Sequence, residues 1–296
     1  MSTNESKNYS QMKMFLMFEK QGELPTYEAL TEKLKAKGYT AEVPSETPSY
    51  AELKERYSDT RVFNLPEYTI EPGGDMPPLE YQIMMFCMAN KENHGDDLSR
   101  TQFWQTPNGA ELIDASQWEV MIGDNTPEGY PHQMRAQILY DWLEAALDLF
   151  PDCTAVWFED SQNVVTADEL RNNPYEGARR IFDGAVNVRM FEIEDTDEIV
   201  VDTLGLQVFG LPDVQVHFKG LDTDDVIGFV YDLALYQFEN DCPIQDGDNV
   251  DGFGTDHEYH DDIQWTCQYE DSILEPKRPV LDVRTGANAA GDREPS

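Results

Sequence analysis

Basic residues are scarce in this sequence compared with acidic ones. The chain has 21 Lys and Arg residues against 58 Asp and Glu residues, which gives a formal net charge of −37 and a pI near 4.2. Nucleic acids and anionic membranes need Lys and Arg to neutralise their own charge, so the composition argues against both as partners and favours a cationic protein. A solvated surface without a specific partner, or adaptation to high salt, remains the alternative explanation of the acidity.

Cysteine is rare and shows no paired spacing. Cys87, Cys153, Cys242 and Cys267 are far apart in the sequence. A zinc site or a disulfide framework is therefore not expected, and we predict that the thiols are buried and form no disulfide. We also predict no cofactor.

Long apolar segments and targeting signals are also lacking. No apolar run approaches the roughly 20 residues that a membrane-spanning helix needs. The first 11 residues are polar and carry no basic region followed by an apolar one, so we expect a flexible leader and a cytoplasmic protein. No Gly-x-Gly-x-x-Gly motif follows a predicted strand, which argues against a dinucleotide site.

Apolar and aromatic residues are abundant enough for a folded protein. They make up 40% and 11% of the chain, more than a disordered sequence of this charge would contain. Predicted strands and helices are interspersed, and neighbouring strands are often joined by hairpins. The shorter predicted elements include strands at residues 39–43 and 199–209, a helix at residues 50–57, and a helix that begins at Thr166 with a Ser/Thr-x-x-Glu capping box. This order predicts an α+β fold with mainly antiparallel sheets and two long core helices, at about residues 131–150 and 222–239.

The clearest unit runs from residue 198 to residue 241 and reads strand, strand, helix. Val214, Val216 and Phe218 alternate with polar residues, as in a strand with one face on a core. Asp222 is placed to cap the helix that follows. For the whole chain we predict four regions: a flexible leader at 1–11, an N-terminal α+β region at 12–183, a C-terminal α+β region packed on it at 184–284, and a flexible tail at 285–296.

Two loops near the end of the chain carry residues of metal-binding type. His257, His260, Asp261 and Asp262 could bind a divalent ion, but a three-residue spacing without a third ligand at a fixed distance favours an exposed polar loop. Residues 246–252 resemble a calcium loop, yet Val250 stands where an oxygen ligand is required, so a hairpin turn is the better interpretation. We therefore predict no metal.

Two further groups of residues are candidates for a catalytic or binding site. Glu159, Asp160 and Ser161 follow a predicted strand and could supply a base or a nucleophile, but no histidine lies near them in the sequence. Trp104, Trp118 and Trp157 could line a pocket, although tryptophans at strand ends usually belong to a core. We predict no catalytic residues.

The C-terminal third resembles a known family. Residues 203–218, the helix up to Tyr236, and residues 244–248, 265–270 and 276–283 closely resemble family 4261 of the domains of unknown function. Residues 14–38 and the strand around Trp157 are similar to the opening and middle of that family, whereas residues 44–117 depart from its pattern. The family has no established activity and implies no catalytic residues. Its members resemble, in their bacterial settings and acidic character, the immunity proteins that neutralise toxins passed between competing cells.

Charge and resemblance together predict an immunity protein or antitoxin that binds a cationic toxin domain, of which a nuclease is the first candidate. A metal-assisted hydrolase using His257 and His260, or a non-catalytic adaptor, are the alternatives. The predicted partner-binding residues form two acidic clusters: Glu192, Glu194, Asp195, Asp197 and Glu198 in a hairpin, and Asp246, Asp248, Asp251, Asp256, Glu258, Asp261 and Asp262 in a later loop.

Overall fold

Two compact units make up the structure, which is a computed structural model describing residues 10–44, 59–71, 77–88, 90–125, 129–254 and 256–291. The first unit ends at Ala185 and the second begins at Val186. Each contains one six-stranded sheet. The predicted α+β class with mainly antiparallel sheets is confirmed.

The sheet of the first unit is built around its first strand. Its strands are β1 (Lys13–Phe18), β2 (Asp59–Ile70), β3 (Leu79–Cys87), β4 (Trp118–Asp124), β5 (Ala155–Phe158) and β6 (Asn163–Thr166), in the order β2-β3-β4-β1-β5-β6. All neighbouring pairs are antiparallel. Because β1 lies between β4 and β5, five of its six residues are buried and it forms the centre of the core.

Five helices of the first unit lie within the described residues. They are α1 (Tyr27–Ala36), α2 (Gly109–Ala115), α3 (His132–Leu149), α4 (Ala167–Arg171) and α5 (Phe182–Ala185). The long helix α3 has buried residues around most of its circumference, including Trp142 and Leu143, which confirms the predicted core helix. The predicted capping box of α4 is also confirmed, because Thr166 and Glu169 exchange both of its hydrogen bonds.

The sheet of the second unit contains one parallel pair. Its strands are β7 (Asn187–Glu192), β8 (Ile199–Leu204), β9 (Asp213–Phe218), β10 (Asn249–Phe253), β11 (Tyr259–Asp271) and β12 (Pro279–Arg284), in the order β10-β11-β12-β9-β8-β7. The described neighbours are antiparallel except β9 and β12, which run in the same direction. The last strand of the chain therefore occupies an inner position of the sheet.

Helix α6 (Thr223–Glu239) connects β9 to the start of β10. The Asp222 side chain caps it by accepting hydrogen bonds from the backbone N–H groups of Asp224 and Asp225. Val226, Phe229, Val230 and Leu233 are buried, and the helix contacts β8 and β9. The predicted strand, strand, helix unit is thus confirmed.

Several local predictions were wrong. Residues 249–253 form strand β10 and not a loop, and β6 was not predicted. Residues 206–209, predicted to continue β8, form a short 3₁₀ turn, and the strand predicted at 39–43 is reduced to one bridge between Glu42 and Asn64. A helix predicted at residues 50–57 lies outside the described residues.

The region predicted as a flexible tail is partly held in place. The backbone of Asn288 accepts a hydrogen bond from Lys219, and the N–H of Ala290 donates to His217 at the end of β9. Ala290 is buried. Residues 285–291 are therefore ordered against the sheet, while residues 1–9 and 292–296 lie outside the described residues.

The state of the cysteines and the character of the helices bear on two further predictions. Cys87, Cys153 and Cys267 are buried thiols and Cys242 is half-buried; all four lie in the described part of the chain and none forms a disulfide. Within the described ranges no helix combines the length and the apolar character that a bilayer crossing requires.

Candidate functional site

Three acidic segments meet at one end of the C-terminal sheet. Phe218 at the end of β9 pairs with Ile199 at the start of β8, and Phe253 at the end of β10 pairs with Tyr259 at the start of β11. This register places the β7–β8 hairpin, the first turn of α6 and the β10–β11 loop at the same end. We call this surface the acidic end; its described residues are 192–198, 222–225, 254 and 256–258.

The first segment is the predicted acidic hairpin. Glu192, Glu194, Asp195 and Asp197 are exposed, whereas Glu198 is half-buried and its carboxylate lies 3.0 Å from Nε2 of His217. The turn is closed by a hydrogen bond from the Ile193 N–H to the Glu198 carbonyl at 2.9 Å. The hairpin therefore presents its carboxylates on an ordered turn.

The second segment was not predicted as part of the site. In the sequence, Asp222 is a helix cap and Asp224 and Asp225 fall in the first turn, where the helix dipole favours negative charge, so these three residues predict only the start of a helix. Because α6 begins directly after β9, the fold brings them to the same end as the hairpin. The sequence feature that could have indicated this location is their position four to seven residues after β9, the strand that ends beside the hairpin.

The third segment carries two histidines, each paired with a carboxylate. Nδ1 of His257 lies 2.5 Å from Oδ2 of Asp225, and Nε2 of His260 lies 2.9 Å from Oδ2 of Asp256. The hydrogen bond and the charge of Asp225 raise the pKa of His257 above its ordinary value. The hydrogen bond from His260 lowers the pKa of Asp256. The pair of His257 and Asp225 joins the loop to the helix.

The structure does not gather around one point the residues of the alternative metal site, His257, His260 and their neighbouring carboxylates. Among the described side chains, one group of three His, Cys, Asp or Glu residues is close enough to share an ion: Asp222, Asp225 and His257, with ligand atoms within 4.8 Å of one another. His260 is engaged by Asp256 instead. His257 and His260 therefore do not act as joint ligands in the structure, because each is paired with a different Asp residue.

The later acidic cluster is divided by the fold. Asp246 and Asp248 precede β10, so they lie at the opposite end of that strand from the loop that follows it at the acidic end. Their carboxylates accept hydrogen bonds from the N–H groups of Tyr269 and Gln245 at 2.8 Å each. Asp251 lies within β10 and accepts from Gln264, and Asp262 is exposed on β11. Asp261 lies on β11 as well. Only Asp256 and Glu258 of this cluster belong to the acidic end.

Two of the five Lys and Arg residues described in the second unit lie in its interior. Arg189 and Arg278 are buried and bind Asp202, and Arg278 also binds Asp213. The ammonium group of Lys277 donates to two backbone carbonyls. Lys219, by contrast, is exposed and lies directly after β9 at the acidic end. The surface carboxylates of this unit therefore have little compensation from cations of their own chain.

The first unit distributes its charges differently. Apart from the buried pair of Arg135 and Asp124, the ion pairs described there lie at or near the surface, such as Lys33 with Asp148 and Arg100 with Asp114. Arg180 binds both Asp141 and Glu144. Uncompensated negative charge is consequently a property of the second unit more than of the first.

The segment 159–161 has a histidine neighbour that the sequence did not reveal. His94 stacks on Trp157, and its Nδ1 lies 3.9 Å from Oε2 of Glu159, while its Nε2 lies 3.1 Å from Oε2 of Glu119. Burial raises the pKa of Asp160 to about 6, with a further contribution from Glu159. The Ser161 hydroxyl is buried and donates to the Gly184 carbonyl at 2.7 Å, which gives it a structural role and makes it a poor nucleophile.

The three tryptophans considered as pocket residues fall into different environments. Trp157 is part of the core, and Trp104 is 52% exposed. Trp118 is 5% exposed and lines a surface cavity. They do not share one pocket.

Fold and surface together define an α+β protein whose most distinctive surface is an acidic end, at which exposed carboxylates outnumber the exposed Lys219. The family model for a domain of unknown function, DUF4261, matches residues 202–284. The match lies within the second unit and covers less than half of the chain, and it confirms the resemblance inferred from the sequence. Searches of the curated proteins and of the solved structures returned no match.

Proposed function

We propose that this chain is an immunity protein that binds a cationic toxin domain through the acidic end and blocks it. The observation that carries the proposal is the arrangement of three acidic segments around one end of the sheet, where the buried arginines of the same unit cannot offset them. A cationic surface of a partner would neutralise this field, so binding would relieve repulsion within the chain as well as add contacts.

A nuclease is the first candidate for the toxin because its cleft must be basic to hold phosphate. An acidic protein competes with the nucleic acid for the same surface. Long-range attraction between the two surfaces would also accelerate their encounter, which suits a protein that must capture its target before damage occurs.

Tyr259 offers apolar contact area next to the acidic end. Its side chain is 59% exposed and packs edge-on against the ring of Phe253. Burial, together with the nearby charges of Asp232 and Asp225, raises its pKa. Tyrosine is enriched at the energetic centres of interfaces and can stack on Arg or Lys. The surface thus combines charge steering with a contact able to hold a bound partner.

The test uses the protein encoded by the adjacent gene as partner. The variant Asp195→Asn, Asp197→Asn, Asp224→Asn removes three charges from the acidic end. The matched control Glu239→Gln, Asp241→Asn, Asp271→Asn removes three exposed charges elsewhere on the same unit. We expect the first variant to lower the association rate constant about tenfold at low salt and the control to lower it much less, measured by stopped-flow mixing or biosensor kinetics.

Equal effects of the two variants would show that total charge and not the acidic end determines binding. An unchanged rate in both would remove this interface from the proposal. Whether the partner is a toxin is tested separately: its gene should arrest growth when expressed alone and be tolerated when this chain is co-expressed. A partner that binds without toxicity would support an adaptor instead.

A further inference from the structure

Residues 91–100 of the first unit connect β3 to a short 3₁₀ turn, and His94 inserts from them into the interior. Most residues of this segment are exposed, whereas His94 is only 3% exposed. Its imidazole stacks on Trp157 of β5 with the ring centroids 5.4 Å apart, and it lies 4.7 Å from the ring of Phe15 on β1. The segment is therefore anchored by a titratable ring in aromatic surroundings.

A buried carboxylate lies beside this ring. Glu119 on β4 is 1% exposed, and its Oε2 lies 3.1 Å from Nε2 of His94 and accepts a hydrogen bond from the Glu92 N–H at 3.1 Å. Among the described residues its Oε1 has no hydrogen-bond partner, and the contact with His94 is at ion-pair distance without the geometry of a hydrogen bond. One backbone donor does not offset the lost hydration of a buried carboxylate. Glu119 therefore depends on a positive charge or a proton at His94.

The other charged groups around His94 do not supply that charge. Glu159, which follows β5, is a second carboxylate, and its Oε2 lies 3.9 Å from Nδ1 of His94. The guanidinium group of Arg100 donates to the His94 carbonyl, and the ammonium group of Lys91 donates to two other backbone carbonyls. Lys13 on β1 is exposed. Within the described ranges, His94 is thus the one basic side chain paired with the buried carboxylate.

The closed arrangement of His94 and Glu119 requires one proton. With the proton on the imidazole the two groups form an ion pair, and with the proton on the carboxyl both are neutral, so in either case the proton belongs to the pair. Without it, an uncompensated carboxylate would be buried beside a neutral ring. Once the segment opens, both groups are hydrated, and well above about pH 6.5 neither an ordinary Glu nor an ordinary His holds a proton.

We propose that His94 and Glu119 form a one-proton latch that holds residues 91–100 on the sheet and releases them as the pH rises. The closed segment binds one proton more than the open segment above about pH 6.5, so the opening equilibrium constant rises up to about tenfold for each pH unit. Just below that pH the open imidazole is protonated too, and opening becomes independent of pH. Release uncovers Phe15 and Trp157, which belong to the core of the first unit.

Tryptic cleavage after Arg100 in the full chain tests the latch. This residue lies in the 3₁₀ turn and its side chain is bound to Asp114 and to the His94 carbonyl, so cleavage requires the segment to open. The rate is divided by that of a synthetic peptide of residues 93–107, which removes the pH dependence of the protease. We expect the normalised rate to rise at least about fivefold between about pH 7 and pH 8.5, because cleavage follows the population of the open state.

Three variants separate the latch from general charge effects. Glu119→Gln places a neutral amide in the same space and needs no shared proton, so its normalised rate should change less than about twofold over this pH range. Glu92→Gln is the matched control, because it removes an exposed carboxylate from the segment itself, and it should keep the wild-type pH dependence. His94→Gln removes the titratable ring and should raise the normalised rate at pH 7 at least about tenfold.

The proposal is overturned by a wild-type rate that stays flat over this range, by a Glu119→Gln variant that keeps the wild-type pH dependence, or by a Glu92→Gln control that loses it. If circular dichroism shows that Glu119→Gln does not fold, His94→Gln decides the question. A normalised rate of His94→Gln at pH 7 equal to that of the wild-type chain then overturns the latch, and the expected increase supports it.

Discussion

Arg278 lies at the centre of the buried charge network of the second unit. Its Nε lies 2.8 Å from Asp213 and its Nη2 lies 2.6 Å from Asp202, which also binds Arg189. All four side chains are buried. Such a network is costly to desolvate, and its members depend on one another because each carboxylate would be an isolated buried charge without its arginine.

Replacing Arg278 with Met should therefore destabilise the second unit strongly. The Asp202 and Asp213 carboxylates would lose a shared cation while staying buried, which costs about 3–5 kcal/mol. The exposed Lys219 provides the control, because Lys219→Met should change the free energy of unfolding by less than about 0.5 kcal/mol. Urea unfolding measures both, and comparable small losses would show that the network is not essential to the fold.

His257 is a residue whose charge depends on its neighbour. The pKa of His257 is raised above 6.5 by Asp225, so its interaction with the helix is fully present below about pH 6.5 and weakens as the pH rises through the raised pKa. Asp225→Asn should bring the pKa back towards its ordinary value, as measured by an NMR titration of the imidazole. Asp232→Asn, two turns further along the same helix, is the control and should leave most of the shift in place. If Asp225→Asn leaves the pKa unchanged, the pairing seen in the structure does not persist in solution.

At the scale of elements, the amphipathic helix α6 can be tested by two adjacent residues. Leu233 is 8% exposed on the buried face of α6, and Asp232 is exposed on the other. Leu233→Ala should cost about 2–5 kcal/mol of unfolding free energy because it removes a packed side chain and leaves a cavity. Asp232→Ala should cost less than about 0.5 kcal/mol. Thermal or urea denaturation distinguishes the two, and equally mild losses would mean that the helix does not pack through this face.

Elements with a strong periodic pattern were predictable from the sequence. Helix α3 was expected at about 131–150 and runs over His132–Leu149, and α6 was expected at about 222–239 and runs over Thr223–Glu239. Strand β10 was missed because Asp251 and Gly252 read as turn residues. Pairing with β11 overrides that local preference, and Gly252 is required there since a Cβ would lie 2.5 Å from the Trp265 indole.

The site was predictable only in part because it depends on topology. The acidic hairpin is a local feature, and its residues could be found by their spacing. The contribution of Asp222, Asp224 and Asp225 follows from which strands lie side by side, and the separation of Asp246 and Asp248 from Asp256 follows from their positions at opposite ends of β10. Likewise, His94 reaches Glu119 and Glu159 across sequence distances that no local pattern encodes.

At the scale of the whole molecule, the net charge of −37 should make stability depend on salt. Repulsion between uncompensated carboxylates destabilises the compact state, and added ions screen it, with a screening length of about 8 Å at physiological ionic strength. The melting temperature should rise between very low salt and about 0.15 M NaCl, measured by differential scanning calorimetry. The neutralised acidic-end variant should show a smaller rise than the wild-type chain. A flat response would mean that bound cations already compensate the charge.

The positions of β1 and β12 in their sheets have a consequence for synthesis of the chain. β1 is made first but lies between β4 and β5, so it must wait for both neighbours before its backbone groups are paired. In the second unit the order is reversed, because β9 and β11 are both translated before β12, which lies between them. During synthesis, the paired strands β7–β9 and the pair β10–β11 therefore stay separate until residues 279–284 leave the ribosome. A stop codon before residue 279 would remove an inner strand and leave two open edges facing each other, which makes premature termination there far more damaging than loss of a terminal edge strand.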